Sequence, residues 1–408
     1  MDEREVVITG MGAVTPLGRD VASTWAALVA GTSGIGPITA FDASPYKSRI
    51  AGEVRDYQPP ASLTAREASR LDRASVFALD AALQALEHSG LSLTAENAVR
   101  AGLVLGCARP GETSVWRGQE AFWRSGEVSA GYLPRTLANS AAAVAAGALG
   151  TRGPAVAISA GGASATAAIA LAAGLVRSGE VEVAFAGGTD AALAPAALSG
   201  FAALGLLSTR NDEPERASRP FDADADGMVL AEGAGFVVLE SEELARQRGA
   251  RVYARLAGAS SLMEPNVSTP SPREAGRSFR AALHQPALMQ GEIDYFCAYA
   301  AGLPDIDKME NAAIKQSFGE VTASKLTISA PKSMLGHMLG ASGAIDAIVC
   351  VKAIETGTIP PTINLERPAD GCDLDYTAGT ARPLLVRNAL CYAYGFGGHH
   401  VALCFSAP

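Results

Sequence analysis

The sequence predicts an α/β protein built from two similar halves. Apolar strand-like runs alternate with stretches of helical period through short glycine turns, which indicates βαβ units and a parallel sheet. The pattern restarts near residue 250, which suggests an internal duplication. The centre of the chain is the stretch 155–176, AVAISAGGASATAAIALAAGLV. There the apolar run Ala155–Ile158 meets a turn of small residues (Ser159, Ala160, Gly161, Gly162), and an alanine-rich helical run follows from Ala163. A strand–turn–helix without bulky side chains suits a packed interior. It presents whatever stands at its tip to a helix N-terminus, where amide dipoles stabilise an anion. In that place stands Gly162, which has no side chain.

In chain order, Glu5–Thr9 is an apolar strand ending in Gly10-Met11-Gly12, and Val21–Ala30 reads as a helix with Trp25 and Leu28 inward. Residues 31–65, rich in Gly, Pro and Ser, read as irregular. Arg70–Ser89 has the helical period through Val76, Leu79, Ala82 and Leu86. Ala101–Gly106 reads as a strand and Asn139–Leu149 as a small-residue helix. Between them Cys107–Leu133 reads as an insertion carrying Trp116, Phe122, Trp123 and Tyr132. It is either a loop packing its own aromatics or a partner interface or lid. Val181–Ala186 and Phe236–Glu240 are further strands. In the second half Val252–Leu256, Tyr295–Tyr299, Leu326–Ser329, Ala389–Tyr394 and Val401–Phe405 read as strands. Glu274–Leu283, Asp305–Phe318 and Gly340–Thr356 read as the helices between them.

Composition narrows the function. With 48% hydrophobic and 18% charged residues, the chain has ample material for a buried core. A net charge of −9 argues against a nucleic-acid surface. No signal peptide or membrane-spanning run is read, which points to a cytoplasmic protein. Six cysteines without a CxxC pair are expected to be buried free thiols. No cofactor is expected: Gly10-Met11-Gly12 lacks the third glycine of a dinucleotide fingerprint, and Pro16 interrupts any following helix. No metal is expected either. Asp222, Asp224, Asp226 and Gly227 imitate a calcium loop, but the closing glutamate, Glu232, falls one residue short. The pair His399-His400 has no further ligand at metal spacing.

Six motifs in order carry a resemblance: VVITGMGAVTPLG at 6–18, RGPAVAISAGGAS at 152–164, AFAGGTDAAL at 184–193, RPFDADADGMVLAEGAG at 219–235, PKSMLGHMLGASGAID at 331–346 and YGFGGHH at 394–400. Over essentially its full length the chain resembles the β-ketoacyl synthases of the thiolase superfamily. The resemblance implies a thiolase-like five-layer αβαβα fold, internally duplicated, with halves 1–250 and 251–408. It implies carbon–carbon bond formation through a cysteine and two histidines. By that resemblance the three catalytic positions are Gly162, Tyr299 and His337, with Lys332, Glu310 and Asp307 supporting them. Two of the three depart from the family pattern, because glycine cannot carry an acyl group and tyrosine replaces an imidazole.

A synthase fold without its thiol resembles the chain-length factor of type II polyketide synthases, the ketosynthase β subunit. That implies a non-catalytic subunit paired with a ketosynthase α subunit in antibiotic-type polyketide biosynthesis, meeting acyl carrier protein through the complex. Candidate tunnel and interface residues are Arg109, Thr113, Trp116, Phe122, Tyr132, Leu133, Thr136 and Phe396. The alternative is a stand-alone malonyl-carrier-protein decarboxylase or an acyltransferase, using His337 or a serine such as Ser159 or Ser164.

Overall fold

The computed structural model describes residues 4–265, 270–284 and 288–408. Ten strands form the main sheet. The first five are β1 (Val6–Val14), β2 (Ala101–Gly106), β3 (Ala155–Ile158), β4 (Val183–Asp190) and β5 (Gly233–Ser241). The second five are β6 (Ala254–Met263), β7 (Tyr295–Cys297), β8 (Thr327–Ser329), β9 (Asn388–Gly395) and β10 (His399–Ser406). Their spatial order is β8-β7-β9-β10-β6-β1-β5-β4-β2-β3.

Split between β6 and β1, that order shows the duplication directly. The first half runs β1-β5-β4-β2-β3 and the second runs β6-β10-β9-β7-β8, the same path with every strand advanced by five. Pairing directions repeat as well. The first and second neighbouring pairs in each half are antiparallel, and the third and fourth are parallel. In the sheet the halves meet where β1 pairs with β6, at Val7 with Arg255 and Ile8 with Ala254. The sheet is therefore mixed, where βαβ periodicity alone predicts a parallel one. Local apolar period marks a strand but does not encode its partner's direction.

Alternating strand residues divide the core into layers. Helices α1 (Val21–Val29) and α3 (Glu112–Ser125) flank the first half; on its outer face Leu103, Leu105, Phe185 and Phe236 pack against α2 (Arg73–Ser89) and α4 (Ser140–Leu149). Between the halves lie α5 (Ser164–Arg177) and, from the second half, the helix Ser342–Thr356, packed on Val104, Ala186, Val237, Cys391 and Leu403. Outside the second half lie α6 (Pro272–His284) and α7 (Pro304–Phe318), on Phe296, Leu390 and Tyr392. With Ser342–Thr356 named α8, the layers read α2/α4, sheet, α5/α8, sheet, α6/α7. This is the five-layer αβαβα arrangement.

Glycine makes the closest approach possible. A methyl added at Gly106 would stand 2.2 Å from the carbonyl carbon of Ser164, so the first turn of α5 rests directly on the end of β2. The stretch read as an insertion is largely helical, comprising α3 and a short helix Tyr132–Thr136. Buried Asp72 ties it down: one carboxylate oxygen caps α2 at Ala74 N–H, and the other accepts from Ser114 N–H at 2.9 Å. Among the described residues no helix is long and apolar enough to cross a membrane. All six cysteines are free and buried.

Candidate active site

The turn 159–163 delivers Gly162 to the N-terminus of α5. Ser164 shapes that turn, its hydroxyl donating to Gly161 O at 2.6 Å and accepting from Ala160 N–H at 2.9 Å. The hydroxyl is thus engaged in the turn within a fully buried residue. Ser159, by contrast, is exposed.

Opposite Gly162 stand Tyr299, just beyond β7, and His337, in the loop before α8. They are 38 residues apart in the chain, and His337 Nε2 lies 2.9 Å from Tyr299 Oη. The direction of this bond follows from the other ring nitrogen. Nδ1 accepts from Leu339 N–H at 3.0 Å, so a neutral imidazole carries its proton on Nε2 and donates it to the phenol oxygen. The Tyr299 O–H is then free to donate elsewhere. Burial, aided by the nearby Lys332 charge, depresses His337 to about 3, which keeps the ring neutral. Burial also pushes the Tyr299 phenol up, so it is a neutral donor.

Carboxylates hold the tyrosine's backbone. Glu310 on α7 accepts from Tyr299 N–H at 2.8 Å and from Ala300 N–H at 2.9 Å. Asp307 accepts from Phe221 N–H and Ala301 N–H. Lys332 pairs with Asp346 at 2.6 Å, and its Nζ lies 5.2 Å from the centroid of the Tyr299 ring. Asp190, which sequence reading missed, accepts from the N–H groups of Ala108, Arg109 and Gly340 and so joins the ends of β2 and β4 to the His337 loop. Its position at the end of AFAGGTD was the available signal.

Burial raises Glu310 to about 8 and Asp307 to about 7. A carboxyl with a raised folded-state pKa holds its proton more tightly when folded, so its stabilising effect is lost as pH rises through that value. The depressed His337 acts in the opposite sense, but only between about 3 and 6.5. Above that window the carboxyls act alone. The urea midpoint is therefore expected to fall between about pH 6.5 and pH 8.5. A midpoint that rises across this interval would contradict the buried carboxyl pair.

Gly162, Tyr299, His337 and Phe396 line one cavity of about 470 Å³, together with apolar Leu206, Met228 and Leu339. Lys332 and Glu310 stand behind it. The remaining candidates lie elsewhere. Thr113 and Tyr132 line a separate cavity of about 390 Å³. Arg109 pairs with Glu112 at 2.8 Å, and Trp116 packs edge-on against Phe41. Phe122 and Leu133 are exposed, and the Thr136 hydroxyl donates to carbonyls of its own turn. Asp222 accepts from Asp224, Glu366 and Arg367 N–H groups, as the hub of a loop network. No group of three metal-ligating side chains occurs among the described residues.

Two family models, the N-terminal and C-terminal domains of β-ketoacyl synthase, match residues 3–245 and 253–366. The chain is similar to 3-oxoacyl-(acyl-carrier-protein) synthase 2 of Coxiella burnetii, 39% identical across all of this chain and 99% of the relative. It is also similar to the tetracenomycin polyketide synthase ketoacyl synthase alpha subunit of Streptomyces glaucescens, 38% identical across 100% of this chain and 98% of the relative. Among solved structures, the ishigamide ketosynthase/chain length factor superposes with a TM-score of 0.93 at 31% identity, covering both chains completely. A type II polyketide ketosynthase, solved with its acyl-carrier protein and a hexaketide, superposes at 0.92 and 30% identity over the whole of both chains.

These relatives overturn the functional expectation drawn from the missing thiol. Proteins 35–39% identical over nearly the full chain are 3-oxoacyl-(acyl-carrier-protein) synthase 2 enzymes. The expected non-catalytic chain-length-factor subunit gives way to that kinship, as does the alternative of a stand-alone decarboxylase or acyltransferase. Gly162 and Tyr299, read above as departures from the family pattern, are two positions in a chain that matches the family over most of its length. The chain belongs to the β-ketoacyl synthase family.

Proposed function

We propose that this protein acts in the assembly of 3-oxoacyl thioesters and receives a carrier-borne acyl thioester in the Gly162–Tyr299–His337 cavity without forming an acyl-enzyme. The observation that carries this reading is the Tyr299–His337 hydrogen bond, whose direction leaves the phenol proton free to donate. A thioester carbonyl placed there meets a neutral donor in a largely apolar enclosure, where hydrogen bonds to a polarised oxygen are strong. The absent side chain at Gly162 removes the nucleophile that would capture the carbonyl carbon. Kinship with 3-oxoacyl synthases supports the substrate class, and a neighbour solved with its acyl-carrier protein supports a carrier as the partner.

The test uses acyl-carrier protein charged with an octanoyl group. Expected are saturable binding and no mass gain on this chain by intact-mass spectrometry. Tyr299→Phe removes the donor and leaves the His337 N–H without its acceptor, which should weaken binding about 5- to 10-fold, or about 1–1.4 kcal/mol. Equal affinity for octanoyl-charged and uncharged carrier would sink the proposal, as would full affinity in Tyr299→Phe.

A further inference from the structure

The terminal motif contributes a histidine that the site described above does not use. His400, on β10, is fully buried. Its Nδ1 lies 2.7 Å from Tyr392 Oη, and its Nε2 lies 2.9 Å from Glu264 Oε2. The polarity of this chain is settled by its last member. Where the neighbour of Nε2 is a carboxylate, the imidazole donates from Nε2, and Nδ1 accepts from the tyrosine. Glu264, also buried, accepts from Ser271 N–H at 3.0 Å through the same oxygen, and its own N–H donates to Gly398 O at 2.7 Å.

A carboxylate, an imidazole and a hydroxyl in series have the layout of a nucleophilic triad. The terminal hydroxyl, however, is enclosed: Tyr392 is fully buried and is absent from the cavity lining. What the series does reach is the cavity wall. The Tyr392 ring packs edge-on against Tyr299 at 6.4 Å, and the His400 ring lies against Tyr394 at 5.3 Å. Tyr394 and Pro270, the neighbour of Ser271, both line the cavity. Three wall residues from separate parts of the chain are thus referred to one buried hydrogen-bonded series.

We infer that His400, held between Glu264 and Tyr392, is a positioning residue that sets the orientation of Tyr299 toward a bound acyl carbonyl. The inference rests on the functional reading above for its ligand, but not for its geometry. Donors must be held closely to favour a reacting carbonyl, and side chains locked by packing and hydrogen bonds supply that hold.

The test uses the full chain with ¹⁵N-labelled histidine and two readouts: the His337 ring-nitrogen resonances, which report the Tyr299 contact, and affinity for octanoyl-pantetheine. His400→Phe keeps ring bulk and deletes both hydrogen bonds. Tyr392→Phe deletes a single oxygen. The expected result is a shift of the His337 signals in both variants. Affinity should fall about tenfold in His400→Phe and about threefold in Tyr392→Phe. If His400→Phe does not fold, Tyr392→Phe decides by itself. Should the wild-type protein bind no octanoyl thioester, the functional reading fails and the His337 signals alone judge the positioning role. Unchanged His337 signals in the folded variants overturn it.

Discussion

Lys332→Met is expected to cost the fold about 3–5 kcal/mol, because it strands a carboxylate inside the protein. Lys332 and Asp346 are 1% and 2% exposed, and their charges meet at 2.6 Å. Burial pushes Asp346 up while the ammonium opposes that shift, so the carboxylate depends on Lys332 for its charge. Among the described residues, the other side-chain hydrogen bond to Asp346 comes from the weak thiol donor of Cys297, at 3.9 Å. Methionine fills the space of the lysine stem and supplies no donor. Urea denaturation should show the loss. The double variant Lys332→Met/Asp346→Leu should recover most of it, since two apolar groups leave no orphaned charge. A double variant no more stable than Lys332→Met would mean that packing, not charge pairing, dominates. The lysine also bears on the site, because its charge helps to depress His337. With it gone, the imidazole should titrate higher.

The second large effect is chemical. Gly162→Cys should convert a protein that gains no mass into one that gains an acyl group from an acyl thioester. Gly162 does not adopt a positive φ, so its backbone accepts a side chain. A thiol there stands at the N-terminus of a 14-residue helix, where the amide dipoles favour thiolate. The gain comes with strain. A methylene at 162 lies 2.8 Å from Tyr394 O and 3.2–3.3 Å from the His337 ring, so the wall opposite must yield. The expected destabilisation is about 1–3 kcal/mol, the usual range for overpacking. Intact-mass spectrometry after incubation with octanoyl-charged carrier decides the matter. An adduct on the unmodified chain would refute the non-covalent reading. An inert Gly162→Cys that is folded would show that the wall has closed over the position.

How far the sequence could be read depended on the kind of contact. Strands such as Ala101–Gly106 were legible as short apolar runs buried on both faces, and helices such as Arg73–Ser89 by apolar residues recurring at the helical period. The stretch 107–133 was harder. Gly111 and Gly118 look like loop residues. Gly118 instead lies within α3 so that the Tyr132 ring can pack on it, where an added methyl would stand 2.2 Å away. Of its tryptophans, Trp116, read as a tunnel or interface candidate, packs edge-on against Phe41, and Trp123 is exposed. The missing thiol was legible, but its functional weight was misjudged, since overall kinship runs with 3-oxoacyl synthases.

By itself the sequence determined which positions are small, which group is absent at the tip of the central turn, and that two halves share one plan. Tertiary structure alone decided the antiparallel pairings of the sheet, the direction of the His337–Tyr299 hydrogen bond and the enclosure of His400. The physical reason is range. Helical and strand periods are local and leave a trace in adjacent residues. The partner of a strand, the tautomer of a ring and the burial of a histidine are set by groups tens to hundreds of residues away, as between His400 and Glu264 at a separation of 136.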